Sequence, residues 1–181
     1  VLAQGLQLSV RGQEKIGIIG PNGVGKSTLL AKLQQLLSGK SEISLGFMPQ
    51  DYQETLQLDL SPVEFLSQTG HKEELQKIQS FLASLNFSYP EMHHQIRSLS
   101  GGQQGKLLLL NLVLRKPNFL ILDEPTRNFS PTSQPEIRKL FATYPGGLIT
   151  VSHDRRFLKE VCRSIYRLTK NGLEVVDLQD L

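Results

Sequence analysis

The chain has 181 residues, 39% of them hydrophobic and 20% charged, with a formal net charge of +3. This composition excludes a disordered chain and indicates one globular domain with a substantial core. The mild positive charge of the chain is more typical of an ordinary solvated surface than of a nucleic-acid site. The single cysteine, Cys162, excludes a disulfide framework and a cysteine-cluster zinc site, and the longest apolar run, Leu107–Leu114, is too short to cross a bilayer.

The first predicted elements are a buried strand, a glycine-rich loop and a helix. The strand is Ile16–Gly20, a β-branched apolar run that ends in glycine, and the helix covers Lys26–Leu37. Leucines are predicted to share one face of this helix, at Leu29, Leu30, Leu33, Leu36 and Leu37. Alternating apolar residues predict a second strand within residues 41–50. Because Val1 stands within a strand-like pattern, we expect the chain to be part of a longer one.

Helices without an intervening strand are predicted in the middle of the chain. The pattern S-P-V-E at residues 61–64 is a capping box that starts one helix, and a second spans about residues 72–85. A third helix follows Ser100, a typical N-cap residue. We therefore expect a small helical subdomain, roughly residues 58–116, inserted into a single α/β domain that covers residues 1–181.

Strands and helices alternate again in the last third of the chain. Residues 118–124 predict a fully buried strand, and Ser133 with Glu136 predicts a capping box that starts a helix. Another strand and helix follow, with Cys162 as buried packing, and the Asn171-Gly172 pair predicts a β-hairpin. The alternation indicates an α/β fold: a mainly parallel sheet with flanking helices, the inserted helical subdomain and a C-terminal β-hairpin.

The glycine-rich loop GPNGVGKST fits the phosphate-binding pattern G-x-x-x-x-G-K-[ST], with a strand before it and a helix after it. Such a loop binds anions because its backbone N–H groups point inward at the positive end of the helix dipole. Lys26 is predicted to reach the β- and γ-phosphates, and the Ser27 hydroxyl is predicted to bind Mg²⁺. The candidate nucleotide-binding residues are Gly20, Pro21, Asn22, Gly23, Val24, Gly25, Lys26, Ser27 and Thr28.

Two adjacent carboxylates, Asp123 and Glu124, follow the apolar run FLIL. The carboxyl ends of parallel strands face the ligand crevice, so we expect this pair to lie near the phosphate loop. Asp123 is then a candidate ligand of Mg²⁺, and Glu124 is a candidate to orient or deprotonate the attacking water. A helix-capping or salt-bridged acid pair is the alternative, which the neighbouring phosphate loop disfavours.

The order of four motifs resembles that of the ATP-binding-cassette (ABC) ATPases. These motifs are GPNGVGKST, LSGGQ at Leu99–Gln103, LILDEP, and the histidine of VSHD, and the resemblance covers nearly the whole chain. Without the resemblance, LSGGQ is equally an ordinary serine-capped helix or a second anion site. The resemblance implies a P-loop ATPase that uses ATP and Mg²⁺.

The resemblance also implies further site residues. Gln50 resembles the glutamine that senses Mg²⁺ and the lytic water, and His153 resembles the histidine that contacts the γ-phosphate. In the family, the LSGGQ residues serve the nucleotide of a neighbouring cassette, here Ser100, Gly101, Gly102 and Gln103. The catalytic residues would be Gln50, Glu124 and His153, and the metal ligands would be Ser27, Gln50 and Asp123. A second cassette, on the same full-length chain or in a homodimer, would be needed for efficient hydrolysis.

The segment VSHDRRFL, residues 151–158, resembles the ABC-F subfamily. Members of this subfamily are soluble, act on ribosomes as translation factors or antibiotic-resistance proteins, and carry two cassettes on one chain. The short segment 50–99 resembles the corresponding segment of the second cassette. We therefore expect a cytoplasmic protein with the ribosome as partner. The alternative is the nucleotide-binding subunit of a membrane transporter, with a permease as partner, and a non-hydrolysing module is disfavoured by the intact catalytic set. The Arg155-Arg156 pair is either part of a surface that contacts the ribosome or an ordinary solvated face.

Two departures from the family pattern stand out. An adenine-stacking aromatic is expected some two dozen residues before the phosphate loop, ahead of Val1. In addition, ABC-F cassettes usually read Asn-His-Leu-Asp after Glu-Pro-Thr, where this chain has Arg127, Asn128, Phe129 and Ser130. Ser130 before Pro131 can cap a short helical turn. In the family, the aspartate usually makes the contact of this loop with the partner cassette. Ser130 replaces it here, so this contact lacks its usual residue.

Overall fold

The computed structural model describes residues 8–52 and 55–181. The chain divides into two compact units, Val1–Gln50 with Pro117–Leu181, which we call the sheet unit, and Asp51–Lys116, the helical unit. The strands of the sheet unit are β1 (Lys15–Ile19), β2 (Leu45–Met48), β3 (Phe119–Asp123), β4 (Gly147–Val151), β5 (Ser164–Thr169) and β6 (Gly172–Val176).

These strands form one six-stranded sheet in the order β2-β3-β4-β1-β5-β6. All neighbouring pairs are parallel except β5 and β6, which form the C-terminal hairpin. Helices α1 (Lys26–Leu37), α6 (Gln134–Ala142) and α7 (Arg155–Val161) belong to the same unit. The predicted α/β class, mainly parallel sheet and terminal hairpin are therefore confirmed.

The helical unit contains four helices and no strand among its described residues. They are α2 (Pro62–Leu66), α3 (Lys72–Ser84), α4 (Tyr89–His93) and α5 (Gly101–Arg115), with a short 3₁₀ turn at Ile96–Ser98. Helix α4 is absent from the sequence prediction, because five residues are too few for apolar periodicity to show. In the part of the chain that the structure describes, no helix combines the length and the hydropathy that a membrane span requires.

The core of the sheet unit forms between the sheet and helix α1. Ile16, Ile18, Ile121 and Ile149 from the central strands pack with Leu30 of α1, and all are essentially inaccessible to water. Leu36 was predicted on the same helical face, but it is 57% exposed. The prediction fails because Leu36 is rotated by about 120° from Leu30 at 100° per residue.

The capping box predicted at Ser61 forms, and the N-cap predicted at Ser100 forms as part of a second box. Ser61 accepts from the Glu64 N–H and Ser100 accepts from the Gln103 N–H, with the Glu64 and Gln103 side chains reaching back. The box predicted at Ser133 is wrong, because Ser133 makes no side-chain cap and its ψ is −24°, in the helical region. An N-cap serine needs extended backbone to reach the first-turn N–H groups, and here helix α6 continues directly from a preceding turn.

The C-terminal hairpin turns one residue earlier than the sequence predicted. Thr169 pairs with Gly172, so the hairpin loop is Lys170–Asn171, one residue before the predicted Asn171-Gly172 centre. The Thr169 hydroxyl accepts from the Asn171 N–H at 3.2 Å, which closes the turn at this earlier position.

Cys162 is 4% exposed, and burial raises the pKa of its thiol to about 12. It packs as a small apolar residue, as expected, since the reactive thiolate does not form near neutral pH.

Glu74 holds the connection between α2 and α3. Its carboxylate accepts hydrogen bonds from backbone N–H groups of residues 68–70 and from the hydroxyls of Ser67 and Thr69, at 2.8–3.0 Å. These bonds, first those from the Gln68 and Thr69 N–H groups, lower the pKa of Glu74 from 4.5 to about 2. The bonds favour the ionised form, so the folded state releases this proton more readily than the unfolded chain does.

We predict that the stabilisation from Glu74 is fully present above pH 4.5 and is lost as the pH falls from 4.5 towards 2. The difference in melting temperature between the wild type and Glu74→Gln should therefore shrink across this interval. Thermal unfolding of both proteins at several pH values measures the difference. A constant gap between them would show that the charge on Glu74 does not carry the effect.

Candidate functional site

The candidate site lies at the carboxyl edge of the sheet, where the ends of β3, β4 and β1 are adjacent. The loops that leave these three strands, together with the start of α1 and Gln50 after β2, line one cavity of about 710 Å³. Its lining residues are Asn22, Gly23, Gly25, Lys26, Ser27, Thr28, Gln50, Asp123, Glu124, Arg127, Val151 and His153. Ligands bind at this edge in open parallel sheets because the loops there converge on one crevice.

Two glycines give the phosphate loop its shape. Gly20 has φ +151°, and a Cβ at this position would lie 2.7 Å from the Leu168 carbonyl oxygen. Gly25 has φ +105° and stands at the N-cap of α1. Side-chain-bearing residues rarely adopt these values, so glycine is required for the loop to fold back over the helix.

The N-terminus of α1 is left open to an anion. Helices α2, α5 and α7 are capped by the side chains of Ser61, Ser100 and Asp154, whereas within the described chain no side chain caps α1 and its first turn has no acidic residue. The first-turn N–H groups of a helix carry a partial positive charge and need acceptors. This helix start therefore fits a phosphate.

Lys26 lies across the phosphate loop. It is 8% exposed, and its Nζ donates to the Gly20 and Pro21 carbonyl oxygens at 2.8 and 3.0 Å. An ammonium group has three donors, so one N–H remains for a ligand in the cavity. The two carbonyls thus hold the cation at the loop where a polyphosphate would be bound.

Asp123 ends β3 with a carboxylate that has no protein partner among the described residues. The residue is only 6% exposed, and a buried carboxylate is costly unless it is paired or binds a metal. Ser27 and Gln50 line the same cavity and add a hydroxyl and an amide oxygen, which are hard donors of the kind that Mg²⁺ prefers. In residues 8–52 and 55–181, no group of three His, Cys, Asp or Glu side chains is arranged so that it could hold a metal ion, so a cation here would need this mixed donor set.

Glu124 and His153 are brought together by the pairing of β3 with β4. Glu124 has φ +51°, and its backbone N–H donates to the Val151 carbonyl at 2.9 Å. Its carboxylate accepts from the His153 backbone N–H at 3.2 Å and lies 3.5 Å from the His153 Nε2. A left-handed backbone is uncommon for glutamate, and here it aims the carboxylate at the histidine.

Burial raises the pKa of the Glu124 carboxyl above its ordinary value of 4.5, and the neighbouring Asp123 charge acts in the same direction. The His153 N–H, the His153 ring and Lys26 oppose this rise. A carboxylate with a raised pKa is a better proton acceptor than an exposed one. This arrangement can therefore orient or deprotonate a water molecule.

Arg127 was not predicted to belong to the site, yet it lines the cavity. Its backbone N–H donates to the Glu124 carbonyl at 3.1 Å, which folds the chain after the carboxylate pair back towards the site. The available signal was its position four residues after Asp123. Further along the tail, Phe129 is 6% exposed, and the Ser130 carbonyl accepts from the Ser133 and Gln134 N–H groups. A helical turn therefore follows Ser130, but the Ser130 hydroxyl bonds to the Thr132 and Ser133 hydroxyls and not to a backbone N–H, so the predicted serine cap does not form among the described residues.

The structure brings most of the predicted site residues together. Three residues of the phosphate loop, Gly20, Pro21 and Val24, belong to its backbone turn but do not line the cavity. The LSGGQ residues belong to the helical unit, where Ser100 and Gly101 are exposed at the start of α5. His71, His93 and His94 also lie in the helical unit.

Comparisons with known proteins show the family of this chain. The family model described as ABC transporter matches residues 3–127. The probable ATP-binding protein YbiT of Escherichia coli O157:H7 is 35% identical over 93% of this chain and 33% of its own length. ABC transporter F family member 2 of Arabidopsis thaliana is 29% identical over 92% of the chain and 26% of its own length. The chain thus spans a third or less of these curated relatives.

A solved structure confirms the fold. The dimeric structure of MJ0796, a bacterial ABC transporter cassette, has a TM-score of 0.80 at 18% identity, covering 97% of this chain and 90% of that one. The same cassette in a post-hydrolysis state bound to ADP and Pi has a TM-score of 0.79 over the same shares of the two chains. With its phosphate loop, carboxylate pair and matched family model, the chain belongs to the ABC transporter family, as an ATPase cassette that resembles those of ABC-F proteins.

Proposed function

We propose that the chain is the ATP-binding and ATP-hydrolysing cassette, the second of two, of a soluble cytoplasmic ABC-F protein that acts on ribosomes in translation or antibiotic resistance. One observation carries the catalytic part of the proposal: Lys26, Ser27, Asp123, Glu124 and His153 line a single cavity. The similarity to ABC transporter F family member 2 supports the subfamily.

In this proposal, the residues of the cavity have separate roles in binding and hydrolysing ATP. Lys26 and the first-turn N–H groups of α1 bind the β- and γ-phosphates of ATP. Ser27, Asp123 and Gln50 would hold Mg²⁺, which neutralises phosphate charge when bound. Glu124 orients or deprotonates the attacking water. His153 contacts the γ-phosphate, and its backbone N–H orients Glu124.

We also propose that hydrolysis needs a second cassette, in the same full-length chain or in a homodimer. The LSGGQ residues Ser100, Gly101, Gly102 and Gln103 would then contact the nucleotide bound to the partner. Exposure of Ser100 and Gly101 and similarity to a dimeric cassette support this assignment.

Sedimentation with ribosomes tests the subfamily assignment. The full-length protein with Glu124→Gln should pellet with ribosomes in ATP and much less in ADP, since loss of turnover preserves the ATP-bound state. The double variant with Lys26→Ala is the matched control and should stay in the supernatant. Equal pelleting with and without ATP, together with co-purification of a permease from detergent-solubilised membranes, would instead support a transporter subunit.

A further inference from the structure

The start of α5 is connected to α4 by a chain of side-chain hydrogen bonds. Gln103 Nε2 donates to Glu91 Oε1 at 2.7 Å, and Glu91 Oε2 accepts from the Ser88 N–H and hydroxyl at 2.7 Å. On its other side, Gln103 Oε1 accepts from the Ser100 N–H and the Ser100 hydroxyl, both at 3.0 Å. The three side chains of Glu91, Gln103 and Ser100 form what we call the Glu91 relay.

The carboxylate fixes the direction of every bond in the Glu91 relay. An ionised carboxylate only accepts hydrogen bonds, so the NH₂ group of Gln103 must face Glu91. The carbonyl oxygen of Gln103 must then face Ser100, which makes the Ser100 hydroxyl a donor. Hydrogen bonds from the Ser88 hydroxyl and N–H and from Gln103 lower the pKa of Glu91, so the carboxylate stays ionised at neutral pH.

The Ser100 hydroxyl can leave this arrangement at little cost. Gln103 Oε1 keeps the Ser100 N–H as a donor when the hydroxyl proton turns elsewhere. The Gln103 N–H still donates to the Ser100 oxygen at 3.3 Å, so the N-cap is retained. The hydroxyl is thus a ready donor for an acceptor that approaches the exposed start of α5.

We propose that Glu91 is a positioning residue for hydrolysis: acting through Gln103, it fixes the Ser100 backbone N–H, so that the Ser100 hydroxyl is held in place to turn and donate to the phosphate on the partner cassette. This inference rests on the proposed function, since it assumes that Ser100 contacts the partner's nucleotide. Without Glu91, the Gln103 amide can turn over and present NH₂ to Ser100. The NH₂ then opposes the Ser100 N–H, a donor against a donor, so the start of α5 loses the bond that fixes Ser100.

Steady-state kinetics of the full-length protein tests the role in hydrolysis. Glu91→Ala should lower kcat for ATP about tenfold and leave KM within about twofold, because the relay acts after ATP is bound to its own phosphate loop. Glu91→Gln keeps the chain length and one carbonyl acceptor, so its kcat should lie between those of Glu91→Ala and the wild type.

Glu74→Ala is the matched control. Glu74 is also a glutamate of the helical unit that accepts several hydrogen bonds, but none of them reaches α5. It should lower the melting temperature and leave kcat within about twofold of the wild type. A kcat of Glu91→Ala within twofold of the wild type, or an equal loss in Glu74→Ala, would overturn the proposed role.

The Glu91 relay can be judged without any ATPase activity. In protein labelled with ¹⁵N-glutamine, the Gln103 side-chain NH₂ signals should shift and exchange faster with water in Glu91→Ala, and not in Glu74→Ala. Unchanged Gln103 signals would show that Glu91 does not hold the amide. A wild-type protein that fails to hydrolyse ATP would refute the proposed function, while the Gln103 signals would still decide on the relay.

Discussion

Replacement of Lys26 by alanine is expected to remove the thermal stabilisation that Mg²⁺-ATP gives the protein. A hydrogen bond to a charged group contributes roughly 1.5–3 kcal/mol, so loss of the ammonium weakens binding by about 10- to 100-fold. ATP at about 100 times the wild-type Kd stabilises the wild type by about 2.7 kcal/mol, and the same ATP concentration stabilises a variant weakened 100-fold by only about 0.4 kcal/mol.

Thermal shift with and without Mg²⁺-ATP measures this difference. At 2–4 °C per kcal/mol, the wild type should gain about 5–10 °C, and Lys26→Ala should gain about half of that for a tenfold loss of affinity and about 1 °C for a 100-fold loss. Only the shift on adding ATP is compared, because Lys26 also ties the phosphate loop through the Gly20 and Pro21 carbonyls and its loss lowers stability by itself.

Lys32→Ala is the matched control, because Lys32 lies on the same helix but does not line the cavity, and its Nζ donates to the exposed Gln35 side chain at 3.1 Å. It should keep the full ATP-induced shift. A full shift in Lys26→Ala would show that the loop GPNGVGKST does not hold the phosphates, and the assignment of the cavity would have to be abandoned.

Sequence reasoning found the site residues whose positions are determined by the residues next to them in the chain. A lysine after a glycine-rich turn at a helix start has its place determined within nine residues, and so has a carboxylate that directly follows a buried strand. The parallel sheet then followed from alternating strands and helices. By contrast, the box expected at Ser133 depended on backbone angles set by the preceding turn, which residue type does not reveal.

Contacts between distant residues needed the structure. The Glu124–His153 distance depends on the register of β3 against β4, in which Asp123 pairs with Val151. Whether Arg127 turns into the cavity depends on the turn after Glu124. The link from Glu91 to Gln103 joins two helix starts 12 residues apart, although the Ser88-x-x-Glu91 spacing with Pro90 was a readable signal for α4.

Replacement of Glu124 by glutamine is expected to abolish turnover and preserve ATP binding. A carboxylate that accepts a proton from the attacking water contributes about 10²–10⁴-fold to the rate, and an amide cannot accept that proton. The amide oxygen of Gln can still accept from the His153 N–H, which Glu124 does at 3.2 Å, so the loop should keep its shape. Phosphate release and the ATP-induced thermal shift measure the two properties separately.

The pH dependence gives this variant a second signature. Because burial raises the pKa of Glu124 above 4.5, the folded state binds this proton more readily than the unfolded chain does, and ionisation of Glu124 lowers the stability. Wild-type turnover should fall as the pH drops towards the raised pKa and deprotonated Glu124 is lost. At neutral pH, Glu124→Gln should melt no lower than the wild type, since it removes a charge that burial penalises.

Glu136→Gln separates the role of Glu124 from a general loss of negative charge. Glu136 is an exposed acid in the first turn of α6, and its replacement should leave phosphate release unchanged. If Glu124→Gln hydrolysed ATP at the wild-type rate, another group would have to accept the proton from water. His153 lies within 3.5 Å of the same carboxylate, so the double variant Glu124→Gln/His153→Ala would then identify it by losing the remaining activity.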